Sequence, residues 1–527
     1  MKLNFIDLEL NFSHGLLNNE YCFKETDIGN YKIIFSGVIF TENWTSIIDD
    51  IINRIDHSDN LVKEIQKSIR GDFVLFLIKK ENYIIVITDI LGRLPIYFKR
   101  SEKRLDFCLD FSVFDLKELS INKFNFIDYL LFGFCLEDNT IFEGVEKLSC
   151  DNYLFCNSNK IQIIKLDWPN WWINDFSFPL NKTIGKLKAH EKLIKIYLKN
   201  KKSEVLCDLS GGFDSRLIHA MFKNEDYIKF ITQKYVQDEY IITKKLTKNL
   251  KSGKHIVLAT KHEFIEEEFG QILMQTDGFV NLWTSVICFQ EQKEYLKHSA
   301  SNYRVMGFAG EFLRKPIKKS SLFFFNKIIL NFSDTKIKKL NLHNNIVKRY
   351  KLSREKIFKQ KSNKIKWFYL KYYTNMVVHA GEHRSRKDHV TIQPLYIPEI
   401  ISFYWKQKDK IPSYRIFNKF LKAFNSNLEI PFFDYGITNK FKVFQWDLKE
   451  KLNKRFIQVR KILGLYFIIY FKYRFKKKSN LDGLNSEPNK KIKMLFKDGE
   501  FSKLFFNKDL KDKLYGINIF LNSINED

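Results

Sequence analysis

A strand, a glycine-containing loop and a helix in direct succession constrain the fold of this 527-residue chain more than any other feature. Glu204–Leu209 is a short apolar segment that predicts a buried strand, Ser210–Ser215 (SGGFDS) predicts a loop, and helical spacing begins at about Arg216. The segments that follow alternate again, predicting a strand, a helix and a strand at Tyr227–Thr232, Glu239–Leu250 and His255–Leu258. This alternation predicts an α/β fold with a doubly wound parallel sheet.

The loop SGGFDS has the composition of an anion-binding site. Glycines let backbone N–H groups approach a phosphate without an intervening side chain, and the N-terminus of the following helix adds partial positive charge. Ser210 and Ser215 offer hydroxyl groups to phosphate oxygens. Asp214 would repel a phosphate unless a cation lies between them, so we expect a bridging Mg²⁺. The alternative is an ordinary glycine turn capped by Ser and Asp.

All six residues of this loop resemble SGGxDS, the pyrophosphate loop of the N-type ATP pyrophosphatases. Those enzymes cleave ATP between its α and β phosphates and leave an adenylated substrate. The resemblance implies that Asp214 acts in catalysis and binds Mg²⁺. It also implies an ATP site formed by Ser210, Gly211, Gly212, Phe213, Asp214 and Ser215.

Other segments, in the correct order over about residues 30–435, resemble the asparagine synthetase family in particular. Gly71–Val74 and Asp89–Tyr97 are similar to motifs of its glutaminase domain, and Thr140–Leu148 is similar to the end of that domain. The resemblance implies an N-terminal Ntn-type αββα glutaminase-like domain at residues 1–165. The residue pattern agrees, because it predicts helical spacing at Asn43–Ser68 and strands at Tyr31–Phe40, Phe73–Lys79 and Tyr83–Asp89.

The second half of the chain resembles the synthetase half of that family. Gly307–Phe312 (GFAGEF) is similar to a degenerate form of its second phosphate and metal loop, which implies that Gly310 contacts nucleotide and Glu311 binds Mg²⁺. The resemblance implies a HUP-like, PP-loop synthetase domain at residues 166–440. The residue pattern predicts that a basic, mostly helical extension follows at 441–527. The alternative for Glu311 is a surface carboxylate.

A lysine near the end of the synthetase half is the last residue that the resemblance singles out. Gln393–Glu399 followed by Arg415–Phe424 is similar to the family region that carries a catalytic lysine, which corresponds to Lys419. A lysine there would neutralise charge that builds up on the leaving pyrophosphate. The alternative is a solvated side chain, because Lys422 is nearby and the chain is rich in lysine.

The glutaminase-like half departs from its family at the nucleophile. True asparagine synthetases use an N-terminal Cys whose own α-amine acts as the base. Position 2 is Lys2 here, and Cys22 has no free amine. We therefore expect no glutamine hydrolysis. Phe308 stands where the family has a Glu that is thought to act during amine attack, which disfavours plain amidation of aspartate.

Taken together, these motifs predict an ATP-dependent, AMP- and pyrophosphate-forming carbon–nitrogen ligase. A carboxylate would be adenylated and passed to ammonia or to a substrate amine, as in surface-glycan or secondary-metabolite biosynthesis. Two alternatives remain open: an RNA-modifying PP-loop pyrophosphatase and a non-catalytic nucleotide binder. The RNA alternative is disfavoured because the loop follows about 200 residues of glutaminase-like sequence and no paired catalytic cysteines are present.

The formal net charge of +27 is concentrated in part of the chain. Residues 311–375 contain 18 basic and 3 acidic residues, and residues 441–480 contain 12 and 2. Ser321–Phe332 and Leu465–Lys478 interleave this charge with aromatic residues, a pattern typical of peripheral contact with an anionic membrane. The alternative is solvated lysine faces on buried aromatic helices. Because the charge is local, it does not indicate nucleic acid in particular.

The cysteines and apolar segments favour the cytoplasm, with the inner face of the membrane as the site of any peripheral contact. The seven cysteines are scattered without metal-ligand spacing, which argues against a disulfide framework or a zinc site. We expect no signal peptide, because acidic residues follow the N-terminus closely. The longest apolar candidate, Ile462–Phe471, is about half of what a membrane span needs.

Overall fold

The structure of the protein is a computed structural model. It describes residues 1–259 with short gaps, and residues 290–297, 301–314, 370–371, 385–406 and 413–426. The short gaps are residues 6–7, 16, 56, 81, 102–103, 111–113, 115–117, 133–134, 137, 159, 234–236 and 252. The predicted extension at 441–527 therefore lies outside the described residues.

Residues 2–165 contribute two sheets. Their strands are β1 (Lys2–Phe5), β2 (Leu8–Ser13), β3 (Lys24–Ile28), β4 (Tyr31–Ile39), β5 (Gly71–Lys79), β6 (Tyr83–Thr88), β7 (Ile96–Ser101), β8 (Arg104–Cys108), β9 (Val145–Leu148), β10 (Asn152–Cys156) and β11 (Ile161–Lys165). One sheet has the order β1-β2-β8-β7-β9, with β2 and β8 parallel and the other neighbours antiparallel. The other sheet, β11-β10-β6-β5-β4-β3, is antiparallel throughout.

Strand β5 shows how these two sheets are layered. Side chains of a strand alternate between its faces, and β5 is buried on both. Phe73 and Leu75 pack in a cluster with the helices that cover the outer face of the antiparallel sheet. Val74 and Phe76 point the other way, into a cluster that includes Phe107 of the first sheet. The three predicted strands β4, β5 and β6 are confirmed, within two residues at each end.

The helices of this part differ from the sequence prediction in one respect. Helical spacing over Asn43–Ser68 resolves into α1 (Trp44–Arg54) and α2 (Ser58–Ser68). The break follows from Ile55, whose extended backbone (φ −125°, ψ 114°) ends α1. The remaining helices of residues 1–200 are a 3₁₀ turn at Asn19–Tyr21, α3 (Lys123–Phe132), α4 (Asn170–Ile173) and α5 (Leu180–Asn200).

The second part of the chain contains the predicted parallel sheet. Its strands are β12 (Val205–Asp208), β13 (Ile228–Gln233), β14 (His255–Leu258), β15 (Tyr303–Val305) and β16 (Val390–Ile392). They have the order β14-β13-β12-β15-β16, and every neighbouring pair is parallel. From β12, the next two strands in the chain, β13 and β14, are added on one side. The following strands, β15 and β16, are added on the other side of β12. This reversal of strand order is the mark of a doubly wound sheet.

Helices pack around this sheet and join it to the first part of the molecule. They are α6 (Phe213–Phe222), α7 (Gln237–Leu246), α8 (Glu311–Arg314), α9 (Pro398–Lys406) and α10 (Ser413–Ala423). One continuous apolar cluster contains residues of all three sheets, including Phe107, Cys207 and Val305. Cys207 is fully buried there, as its place in the strand predicts. No helix in the described part of the chain is long and apolar enough to cross a membrane.

Candidate nucleotide site

Both predicted phosphate loops follow neighbouring strands of the parallel sheet. The loop SGGFDS follows β12, and the loop GFAGEF follows β15 after Met306. Val205 of β12 lies opposite Tyr303 of β15, and Cys207 lies opposite Val305. The strand order reverses between these two strands, and ligands of doubly wound sheets bind outside the carboxyl ends of the strands at that point. The two segments singled out from sequence therefore meet where the fold favours a ligand site.

The two loops are packed directly against each other at their glycines. A Cβ atom on Gly310 would lie 2.1 Å from Oδ1 of Asp214, and one on Gly307 would lie 3.0 Å from the backbone nitrogen of Ser215. Neither position has space for a side chain without a shift of the other loop. Gly307 and Gly310 are thus required for close approach of the loops, which brings backbone of the second loop beside the carboxylate of the first.

Hydrogen bonds within SGGFDS fix its shape. The Ser210 N–H donates to Oγ of Ser215 over 3.1 Å, and the Ser215 hydroxyl donates to the Ser210 carbonyl over 3.0 Å. The two hydroxyl oxygens are 2.9 Å apart, and the Gly212 N–H donates to Oγ of Ser210 over 3.2 Å. The hydroxyl groups of the two serines therefore shape the loop.

The helix after the loop begins earlier than the sequence prediction placed it. Helix α6 starts at Phe213 rather than Arg216, with Gly212 as its N-cap in an extended conformation (φ −78°, ψ 179°). Phe213, Asp214 and Ser215 therefore form the first helical turn. The N–H groups of a first turn have no intrahelical acceptor and carry partial positive charge. The last three residues of SGGFDS therefore lie in the first turn of α6, which is the part of a helix best suited to an anion.

The helix that carries Lys419 packs beside the first loop. The ring of Phe417 in α10 makes an edge-to-face contact with the ring of Phe213, with centroids 5.3 Å apart. Lys419 itself is exposed on that helix. The described contacts place the helix next to the site but show no contact of Lys419 with either loop, so its catalytic role stays a prediction.

The proposed metal ligands are partly placed. Asp214 lies between the two loops, and Glu311 is the first residue of α8, directly after Gly310. The Glu311 side chain lies outside the described part of the structure. Among the residues that the structure describes, no group of three or more His, Cys, Asp or Glu side chains could hold a metal ion. A magnesium ion that is bound with phosphates needs only one or two carboxylates, so two acidic positions here fit its requirements.

Sequence reasoning missed an ion pair that joins the two strands below the loops. The Asp208 carboxylate accepts from Nε of Arg304 over 3.0 Å and from Nη2 over 2.8 Å. Nothing in the sequence pairs these residues, because 96 positions separate them. The only local signal is the presence of charged residues at the ends of two otherwise apolar strands.

A second missed network supports β12 from the other side. The Thr232 hydroxyl of β13 donates to the Leu209 carbonyl over 2.9 Å, one residue before SGGFDS. Oγ1 of Thr232 also lies 2.9 Å from Nε2 of His255. The other ring nitrogen of His255, Nδ1, lies 2.9 Å from Oγ1 of Thr247. Burial lowers the pKa of His255 to about 4, so its imidazole is neutral at physiological pH.

The two segments that resemble glutaminase motifs, Gly71–Val74 and Asp89–Tyr97, are joined by contacts between buried side chains and backbone groups. Asp72 pairs with Arg93 over 2.6 Å, and the Asp89 carboxylate accepts from the N–H groups of Leu91 and Arg93 over 2.9 and 2.8 Å. Burial raises the pKa of Asp72 and, together with the neighbouring Asp72 charge, that of Asp89. Gly92 has φ 62°, a left-handed conformation that favours glycine. These residues therefore form a turn and a buried ion pair.

The residues discussed for the missing nucleophile, Lys2 and Cys22, each have a described partner. Lys2 is exposed and pairs with Glu9 over 3.3 Å. The half-buried Cys22 has its Sγ within hydrogen-bonding distance of the two ring nitrogens of His14, at 3.4 and 3.6 Å. Whether the chain hydrolyses glutamine stays a prediction.

A sizeable cavity lies away from the two loops. A groove of about 670 Å³ opens at the amino ends of β12, β13 and β14. The two loops lie at the carboxyl ends of the strands, on the opposite side of the sheet along the strand direction. It is lined by lysines and by the acids that pair with them, such as Lys251 and Asp226 at 3.1 Å. Loop geometry, and not cavity size, therefore marks the candidate site.

Comparison with models of known protein families gives no match, and comparison with curated proteins gives none either.

Proposed function

We propose that the protein is an ATP-dependent amide-forming ligase, with the nucleotide bound between SGGFDS and GFAGEF. The observation that carries this proposal is the meeting of both loops at the point where the strand order reverses, with Gly310 against Asp214. In the proposed reaction a substrate carboxylate attacks the α-phosphorus of ATP, and pyrophosphate leaves. An amine then attacks the acyl-adenylate, which gives an amide and AMP.

Each residue of the first loop has a proposed task. The backbone N–H groups of Gly211, Gly212 and the first turn of α6 would bind phosphate oxygens, aided by the partial charge of the helix N-terminus. Ser210 and Ser215 would add hydroxyl contacts. Phe213 anchors the loop by its contact with Phe417. Asp214 would contact the phosphates through a metal, since a carboxylate alone would repel them.

The second loop and α10 complete the proposed site. Gly310 allows the approach to Asp214, and Glu311 is the proposed second carboxylate ligand for Mg²⁺. When bound, Mg²⁺ would neutralise charge on the departing pyrophosphate. Lys419 would do the same from α10, because a cation near the leaving group stabilises the charge that develops there.

The fold supports this proposal at a finer level. Two packed sheets, with helices on the outer face of the antiparallel one, are consistent with an Ntn-type αββα domain at residues 1–165. A five-stranded parallel sheet with the order of β14-β13-β12-β15-β16 is consistent with a HUP-like PP-loop domain at 166–440. The absence of a Cys at position 2 supports a ligase that receives ammonia or an amine without its own glutaminase activity.

The substrate is proposed only as a class. A small-molecule, glycan or peptide carboxylate would serve, with ammonia or an amine as acceptor. The segments Ser321–Phe332 and Leu465–Lys478, on which the predicted membrane contact rests, lie outside the described residues. That contact therefore stays a prediction of the sequence.

Product identification tests the proposed reaction. The protein is incubated with Mg²⁺, ATP, a pool of carboxylic acids and ammonium, and phosphorus-31 NMR follows the nucleotides. The proposal predicts AMP and pyrophosphate in equal amounts, formed only when an acid is present. Formation of ADP and orthophosphate would contradict the assigned cleavage position.

A further inference from the structure

The pair Asp208–Arg304 joins the two strands from which the phosphate loops emerge. Asp208 is the last residue of β12, two positions before Ser210, and Arg304 lies three positions before Gly307. Leu206 is the register partner of Arg304. Because residues two apart lie on the same face of a strand, Asp208 is on the same face as Leu206 and one step nearer the loops. The guanidinium therefore spans the pair of strands just below the site.

The geometry of the pair fixes direction as well as distance. Nε and Nη2 of Arg304 each donate to a different oxygen of Asp208, over 3.0 and 2.8 Å. Two parallel bonds between a planar guanidinium and a carboxylate hold both groups in one orientation. The ring of Tyr295 lies 4.3 Å from the guanidinium carbon. Arg304 has a side chain that is 8% exposed, so water offers it little competition.

The third nitrogen of the guanidinium reaches two further segments. Nη1 donates to the side-chain oxygen of Gln292 over 3.0 Å and to Oγ of Ser385 over 3.2 Å. The carbonyl of the next residue, Arg386, accepts from the N–H of Asn18 over 2.9 Å. One side chain thus ties β12 to β15, to the helical segment 290–297 and to a segment that contacts the first part of the molecule.

We propose that Arg304 is a positioning residue of the nucleotide site, which sets the separation of the two phosphate loops by clamping β12 to β15 through Asp208. This inference rests on the proposed function. A buried ion pair often gives no more stability than apolar side chains of similar volume, so geometry is the contribution that we assign to it. At Gly310 the two loops are in close contact, since a single Cβ there would overlap Asp214. A small change in strand separation would therefore alter the site.

The test compares Arg304→Met, the double variant Asp208→Leu/Arg304→Met and the unaltered protein. Calorimetric titration measures the Kd for Mg·ATP, and thermal unfolding measures Tm. We expect Arg304→Met to raise Kd by about tenfold or more, since misplacement of binding groups by ~1 Å has large effects. The double variant removes the unpaired carboxylate, so Tm should recover while Kd stays raised. A purely structural pair would instead recover both quantities together.

A matched control uses the other neighbour of β12. Lys229 of β13 pairs with Glu204, which precedes β12 at the opposite edge of the sheet. Lys229→Met should leave the Kd for Mg·ATP within about twofold, because it breaks an ion pair remote from the loops. If Arg304→Met does not fold, Arg304→Lys keeps the charge, loses the planar fork and is expected to fold with a raised Kd.

The outcomes separate this inference from the proposed function. ATP binding by the unaltered protein together with an unchanged Kd in the folded Arg304 variants overturns the positioning role alone. Recovery of Kd along with Tm in the double variant also overturns it. Failure of the unaltered protein to bind Mg·ATP overturns the proposed function, and the positioning role with it.

Discussion

A single substitution at Gly310 tests whether the two loops bind nucleotide together. Gly310→Ala places a Cβ 2.1 Å from Oδ1 of Asp214, so the Asp214 side chain must be displaced from its position between the loops. We expect the Kd for Mg·ATP to rise by about tenfold or more, as measured by calorimetric titration. Unchanged affinity in a folded Gly310→Ala protein would show that the loops do not bind nucleotide together.

Gly185 offers the matched control for that experiment. It lies inside α5, and a Cβ there meets no atom within 4 Å. Gly185→Ala should leave ATP binding unchanged and increase the free energy of unfolding by about 0.5–1 kcal/mol, because alanine favours a helix over glycine. The two variants add the same methyl group, so only its surroundings differ.

The lost nucleophile gives a second prediction for single residues. The purified protein should release no glutamate from glutamine, because Lys2 stands where the asparagine synthetase family, which the sequence resembles, has its Cys. An enzymatic glutamate assay checks this expectation. Glutamate release that disappears in Cys22→Ala would contradict it and would assign the activity to the thiol beside His14.

Single residues were predictable from the sequence only where a motif carried them. SGGFDS stands out because six consecutive residues match one pattern, and its loop lies at the carboxyl end of β12. Asp208 and Arg304 could not be paired in advance, since their contact depends on β12 and β15 becoming neighbours. Thr232 and His255 are similar, because their roles depend on the register of β13 and β14.

At the scale of elements, strands were predicted better than the ends of helices. The apolar segment Tyr31–Phe40 marks a strand because most of its side chains are buried. His255–Leu258 was predicted as well, although only Leu258 of that strand is buried. The start of α6 was wrong by three residues, because Gly212 is an extended N-cap that periodicity does not reveal. Segment 43–68 has one continuous helical pattern, yet it divides at Ile55 into two helices.

The junction of β13, β14 and the end of α7 predicts a dependence of stability on pH. Burial lowers the pKa of His255 from 6.5 to about 4, below the value expected in the unfolded chain. The neutral imidazole therefore stabilises the fold fully above about pH 6.5, and this contribution is lost as the pH falls toward 4. Urea unfolding should give a free energy of unfolding that decreases over this interval.

A His255→Gln variant isolates that contribution from other buried groups. Asp89 has a raised pKa, so its contribution has the opposite sign and is lost as the pH rises. The difference between His255→Gln and the unaltered protein cancels such common effects. That difference should shrink as the pH falls from about 6.5 to 4. A difference independent of pH would show that the His255 ring does not stay neutral in the folded state.

At the scale of the whole molecule, the first part of the chain is packed onto the part that contains the parallel sheet. Arg70, which precedes β5, pairs with Glu399 of α9 over 2.7 Å, and their side chains are 21% and 6% exposed. A buried Lys371–Asp151 ion pair adds a second polar link. The apolar cluster is shared by both parts. We therefore expect the described regions to unfold together.

Removal of one partner of this contact tests the packing. Arg70→Met leaves the Glu399 carboxylate buried without its cation, so the free energy of unfolding should fall by about 3 kcal/mol. The control is Arg54→Met, because Arg54 pairs with Asp50 over the same 2.7 Å but both side chains are more than half exposed. That loss should be below about 0.5 kcal/mol in urea unfolding. Equal losses would argue against a tightly packed junction.

The net charge shows which properties of the whole molecule the sequence leaves open. The sequence localises most of the +27 to residues 311–480, but no local pattern indicates how that charge is arranged in space. The sheet order, by contrast, followed from strand–helix alternation as far as its class, a doubly wound parallel sheet. Its exact neighbours, and so the meeting of the two loops, required the structure.

Exchange of labelled pyrophosphate into ATP, measured against a panel of carboxylic acids, tests the central claim most directly. We expect exchange of pyrophosphate into ATP that requires one class of acid and disappears in Asp214→Ala. The matched variant Asp226→Ala, whose carboxylate lies at the amino end of the same sheet and pairs with Lys251, should exchange normally. Acid-dependent exchange that persists in Asp214→Ala would contradict the assigned site. Absence of exchange with every acid, in a protein that binds ATP, would contradict adenylation.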